Sequence, residues 1–264
     1  MLSYFANPHR FMALSKWLLP VLAVLGAITL TIGWVWAAFF LPLEEEMGRT
    51  TSIMYLHVPA AWVSLMSYSM MAVGSLIYLI WRHSLADVAA KCAAPAAAGF
   101  AFLCLVTGSL WGRPAWGTYW VWDARLTAML FQLFLVLGYM ALRTAYSRET
   151  QAAQASAILC LVGAINLPII KFSVDWWNSL HQPSSMFASK SRALAECLNR
   201  YGQDAMETCQ KVAENTGLSP EFFWPLILNA LAASLVFGAL LLANMRAEIF
   251  SRQYETRLAR LGKG

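Results

Sequence analysis

Four of the chain's 12 tryptophans fall in one short run, Trp111-Gly-Arg-Pro-Ala-Trp116-Gly-Thr-Tyr-Trp120-Val-Trp122-Asp123, between two hydrophobic stretches. A buried indole needs a partner for its N–H, so ordinary core filling is a poor reason to concentrate them. Such a density suits a flat aromatic platform at a membrane surface, and a platform suits a planar ligand. Gly112 and Gly117 allow close backbone approach, and Arg113, Asp123 and Arg125 add charge. If the run is helical, positions 116, 120 and 123 share a face, which lines up two indoles with a carboxylate.

Two of the four histidines are placed to work with that platform. His57 directly precedes Val58-Pro59, and His181 sits in Trp176-Trp177-Asn-Ser-Leu-His181-Gln-Pro183. Two neutral imidazoles approaching from opposite sides fill the axial positions of a haem iron. Taken singly, each reads as readily as an interfacial side chain bonded to a backbone carbonyl. Their shared membrane face and neighbouring tryptophans favour ligation. His9 and His83 lie beside arginines in basic segments and read as surface residues. Arg113 and Arg125 are candidates for haem propionates, with Arg125 equally readable as a snorkelling side chain or the partner of Asp123. Trp17, Trp34, Trp36, Trp62, Trp81 and Trp224 fit an interfacial aromatic belt.

The elements that must hold these residues are membrane helices. The 264 residues are 59% hydrophobic and only 12% charged, with a mean hydropathy of +0.54, values outside the range of an ordinary soluble domain. Six stretches approach the ~20 apolar residues a bilayer crossing requires: 17–41, 58–80, 92–110, 126–142, 155–170 and 224–243. The chain therefore reads as a single all-α, six-span membrane domain over 1–264. Its tryptophan-rich binding segment is 111–125, and a longer outer segment, 171–223, precedes the last span. Pro20, Pro59 and Pro225 read as helix starts, and Pro168 as a kink or an exit toward Lys171.

Lysines and arginines accumulate at the N-terminus, at Arg82 and Lys91, at Arg143 and Arg148, and in the tail from Arg246 to Lys263, whereas Glu44, Glu45 and Glu46 occupy the first loop. That asymmetry places both termini in the cytoplasm and 111–125 and 171–223 outside. The net charge of +5 then reflects inner-leaflet anchoring, and a nucleic-acid function has neither a soluble basic domain nor a motif behind it. The spans hold no ionisable residue except cysteine and tyrosine, which disfavours ion-coupled transport. The phosphate-binding GxxxxGK[ST] pattern is absent, so energy must come from a partner. The first hydrophobic run is too long for a cleavable signal and is expected to remain as an anchor.

Trp-Gly-Thr-Tyr-Trp-Val-Trp-Asp-Ala-Arg-Leu-Thr at 116–127, flanked by His57 and His181, resembles the tryptophan-rich signature of the haem-handling proteins of cytochrome c maturation. Length and six-span layout are similar to the CcmC family; the larger CcmF and CcsA proteins share the signature but carry more spans and more histidines. The resemblance implies a non-enzymatic component of the bacterial inner membrane that holds haem b at the periplasmic face. His57 and His181 would be axial ligands, and Trp111, Arg113, Trp116, Gly117, Trp120, Trp122, Asp123 and Arg125 would form the haem surface. It also implies delivery of haem to the chaperone CcmE, in a complex with the ABC transporter subunits CcmA and CcmB and the small protein CcmD. A b-type cytochrome would normally place its ligands inside the spans, and a haem permease would call for a polar path through the bundle.

The segment 191–216 departs from the family in its length. It reads as two short helical arms broken at Gly202. Cys92, Cys104 and Cys160 lie within spans as small buried hydrophobes, whereas Cys197 and Cys209 lie in the outer segment, in a compartment that is oxidising if the membrane is a bacterial inner membrane. Arms folded back at Gly202 would bring those two to disulfide distance, giving a bridge that rigidifies a lid beside His181.

Overall fold

The computed structural model describes residues 7–42, 48–177, 179–181, 190–214 and 218–261. Its helices are α1 (Pro8–Phe39), α2 (Met54–Trp81), α3 (Ser84–Trp116), α4 (Ala124–Ala145), α5 (Glu149–Gly163), α6 (Asn166–Trp176), α7 (Lys190–Tyr201), α8 (Met206–Glu214) and α9 (Pro220–Leu261). A 3-10 turn, Arg49–Ile53, runs straight into α2, and another, Gln203–Ala205, joins α7 to α8. Among the described residues, six helical units are long and apolar enough to cross a membrane, with α5 and α6 together forming the fifth, Glu149–Trp176.

The helices overrun the hydrophobic stretches, because hydropathy marks the oil-facing part of a helix and not its ends. Pro20, Pro59 and Pro225 are therefore inside α1, α2 and α9 and are not helix starts. The true starts use other devices: the Asn7 side chain accepts from His9 N at 2.9 Å at the head of α1, and His83 Nδ1 accepts from Ala86 N at 3.2 Å at the head of α3. His83 is thus a helix cap. Pro168 lies in the first turn of α6, and the fifth unit breaks just ahead of it, at Ala164–Ile165. Proline has no N–H to give the carbonyl of residue 164, which weakens the ladder there. Asn166 holds the break against α4, donating to Ala128 O at 2.8 Å and Gln132 Oε1 at 3.1 Å. The chain does not exit at Lys171, since α6 continues to Trp176.

The core sits between α2 and α3. Buried Ala90, Ala93, Ala94 and Ala97 of α3 receive Val63, Tyr68 and Met71 of α2. Small residues let helices approach closely where lipid offers no hydrophobic drive for association. Gly74 marks one close approach: a Cβ there would lie 2.9 Å from Ala86 O. At the end of α3 remote from the tryptophans, Asp87 is gripped by Arg143 of α4 at 2.6 and 2.9 Å, and Lys91 bonds Glu248 of α9 at 2.6 Å. Arg252 of α9 bonds Glu248 at 2.8 Å and pairs with Glu149 of α5, so these charges tie four helices together at one level.

Candidate functional site

The tryptophan run opens as the last turns of α3, which carry Trp111 and Trp116. Gly117 then takes a φ of +77°, the left-handed conformation that ends helices, and its N–H bonds Arg113 O at 3.0 Å. Positions 116, 120 and 123 consequently do not share a helical face. Trp120 lies beyond the stop, edge-on to Trp122 at 5.6 Å, and Trp122 is 78% exposed. Arg113 folds back on this loop, donating to Gly117 O and sitting 5.7 Å from the Tyr119 ring.

Trp111 and Trp116 each meet a histidine. The Trp111 ring lies 5.9 Å from that of His57, and Trp116 lies 4.9 Å from His181, both edge-on. His57 is in the first turn of α2, and its Nδ1 lies 2.9 Å from Cys104 O and 3.2 Å from Thr107 Oγ1 of α3. A carbonyl only accepts, so the proton belongs on Nδ1 and Nε2 is left with its lone pair. Gly108 makes room for the ring: a Cβ there would lie 2.8 Å from His57 Cε1. The indole nitrogen of Trp111 is buried with no hydrogen-bond partner.

Asp123 organises the opposite side. As N-cap of α4 it accepts from Arg125 N at 2.7 Å through Oδ1, while Oδ2 accepts from Ser179 Oγ at 2.5 Å and Leu180 N at 3.0 Å. Burial works against its charge, but these bonds, Ser179 foremost, hold the carboxyl below its usual range. His181 N donates to Ser179 Oγ at 3.1 Å. The His181 ring is less constrained: Nδ1 is buried without a hydrogen-bond partner, and Asp123 Oδ1 is 3.9 Å away. Burial, with the positive charge of Arg125 second, pushes its pKa down to about 4, against the opposing pull of Asp123; His57 adds a smaller push in the same direction. His181 is therefore a neutral imidazole at neutral pH. The guanidinium of Arg125 turns to α6, donating to Ser173 Oγ at 3.3 Å and Lys171 O at 3.4 Å, and does not hydrogen-bond Asp123.

The residues singled out by sequence thus converge: two histidines, two tryptophans at one helix end, and a carboxylate. A profile of the family described as "Heme exporter protein C" matches residues 1–201. The chain belongs to the CcmC family. The family protein of Bradyrhizobium diazoefficiens is 48% identical over 248 residues, covering 94% of this chain and 85% of that one. That of Escherichia coli K12 is 47% identical over 180 residues, covering 68% and 74%, and that of Rhodobacter capsulatus is 37% identical over 250 residues, covering 94% and 93%. As a CcmC family member with six candidate spans, the chain is a multi-pass membrane protein of cytochrome c biogenesis.

The family profile stops at Tyr201, the last residue of α7, so Cys209 lies beyond it. The two arms form as read from the sequence, with Gly202 at φ +82° between them, and Cys197 and Cys209 are disulfide-bonded at a Cα separation of 5.5 Å. The arms pack chiefly on each other. Four residues of this cluster were not picked out from sequence: Cys104, through its carbonyl, Thr107, Gly108 and Ser179. Gly108 carried a usable signal, since it precedes Trp111 by one helical turn and a small residue there lets a neighbour in. Ser179 carried none, because its role depends on where Asp123 stands in space.

Proposed function

We propose that this chain holds haem b at the periplasmic face of the bacterial inner membrane and passes it to the chaperone CcmE. In this reading it works with CcmA, CcmB and CcmD, has both termini in the cytoplasm, and 111–125 and 171–223 face the periplasm. The observation that carries the proposal is that Trp111 and Trp116, a little over one turn apart on α3, each touch a different histidine. His57 and His181 are close enough that protonating one would disfavour protonating the other.

The donor set fits haem. His57 has its proton tied up at Nδ1 and Nε2 available, and His181 is held neutral, so both are in the form that ligates iron. The buried nitrogens of Trp111 and His181 have no hydrogen-bond partner in the protein and suit a site built to hold a ligand. Half-buried Trp120 with exposed Trp122 and Arg113 supplies an aromatic and cationic margin suited to the macrocycle and its propionates. When bound, haem supplies the iron for the two imidazoles and the vinyl edge that becomes linked to the chaperone. The chain orients it; ATP hydrolysis belongs to CcmA. A separate cavity of about 360 Å³ lies between α1, α2, α3 and α9; Leu30, Trp34, Phe100 and Val236 typify its lining, and Thr31, Tyr55 and Asn229 are its few polar members, too few to favour a permease path.

Absorption spectra of the purified membrane protein test the proposal. His57→Ala and His181→Ala should each lower haem content and shift the spectrum, whereas His9→Ala should do neither. An unchanged spectrum in the double variant removes the reading.

A further inference from the structure

The two histidines are held in different ways. The imidazole of His57 is fixed on several sides. Its α2 backbone is helical, and its Nδ1 meets two acceptors on α3. Thr107 gives its own proton to Leu103 O at 2.6 Å, which leaves its oxygen free to accept from His57. Gly108 leaves the ring space only because it has no side chain. Turning that ring out requires breaking bonds to a packed helix.

His181 has no such grip on its ring, where neither the unpartnered Nδ1 nor the edge contact with Trp116 fixes an angle. What positions it is the backbone around it. Ser179 Oγ donates to Asp123 Oδ2, Leu180 N donates to the same oxygen, and His181 N donates to Ser179 Oγ. Three hydrogen bonds thus converge on Ser179 and one carboxylate oxygen, beyond the end of α6 at Trp176. Asp123 stays put if they open, because its other oxygen caps α4. Opening them frees the histidine together with its segment.

Resting on the haem reading above, we infer that His57 is a fixed axial ligand and His181 an exchangeable one, with Ser179 the positioning residue whose hydroxyl clasps His181 to Asp123. The site then opens from one side only, by letting go of Asp123, and closes by recapturing it. This gives the signature aspartate a role distinct from touching the ligand.

Two measurements on the full chain in detergent test this. Carbon monoxide binds a six-coordinate ferrous haem only after one axial ligand leaves, so its association rate in the haem-loaded protein reports ligand exchange. Ser179→Ala should raise that rate roughly tenfold or more, the scale of one hydrogen bond to a carboxylate. Ser179→Thr, which keeps the hydroxyl, should restore it, and Thr107→Val should raise it far less. In haem-free protein, amide exchange at Leu180 and His181 should accelerate in Ser179→Ala and not in Thr107→Val. A Ser179→Ala protein matching wild type, or a Thr107→Val protein exchanging as fast, overturns the asymmetry. A wild-type chain that takes up no haem overturns the haem reading and the ligand assignment with it, and the amide exchange then still reports whether the clasp exists.

Discussion

Arg143 holds Asp87 with both terminal guanidinium nitrogens, at 2.6 and 2.9 Å, and the two side chains are only 6% and 7% exposed. Removing one partner of a buried pair strands the other's charge, which costs more than the pair itself contributes. Asp87→Ala should therefore destabilise the protein by about 3–5 kcal/mol. Lys211→Ala, which breaks the exposed pair with Glu207, should cost no more than about 0.5 kcal/mol. Detergent-phase melting curves of the two variants measure the contrast, and equal midpoints would show that Asp87 is not buried as described.

Gly108→Ala places a methyl 2.8 Å from His57 Cε1, whereas Gly99→Ala on the same helix meets nothing within 4 Å. The first should weaken haem binding by at least about tenfold, the scale seen when a residue orienting a metal ligand is lost. The second should leave binding unchanged and add a little helix propensity, up to about 1 kcal/mol. Haem titration followed by absorbance distinguishes them, and equal affinities would detach His57 from the site.

Trp122 stands 78% exposed and contributes little to the fold, so Trp122→Ala should melt like wild type while taking up less haem. Trp111 packs against buried Ala37, Met54, Tyr55 and Leu226, so Trp111→Ala should lower stability by roughly 3 kcal/mol as well as haem content. Normal haem uptake by a stable Trp122→Ala protein would remove that residue from the platform.

The Cys197–Cys209 bridge should be found by mass mapping of the unreduced protein. The Cys197→Ser, Cys209→Ser double variant should keep its haem spectrum and lose protease resistance in 190–214, because the bridge ties one arm to the other and the arms pack chiefly on each other. A changed spectrum would mean that the arms reach the haem site.

What sequence made legible follows from what each residue depends on. The six spans were visible because hydrophobicity along the chain is a local property, and the arms around Gly202 because a break and two cysteines announce themselves in one short segment. Helix ends were misread at Pro20, Pro59 and Pro225, where helix continues into polar surroundings that hydropathy cannot follow. The face shared by 116, 120 and 123 failed for one local reason, the left-handed Gly117. The surroundings of the site histidines were the least legible. Cys104 and Thr107 lie 47 and 50 residues from His57, and Ser179 lies 56 from Asp123, so their roles exist only once the helices have packed.

Helix α3 touches both ends of the molecule. Its 33 residues span about 50 Å, with Asp87 locked to Arg143 in the first turn and the Cys104–Gly108 seat of His57 about 25–32 Å further along. Pro95 lies between them and has no N–H to give the carbonyl of Lys91, so the helix joining the charged end to the imidazole is a bend-prone lever and not a stiff rod. A tilt of the first turns around Asp87 is therefore felt at the His57 seat only as far as that bend transmits it.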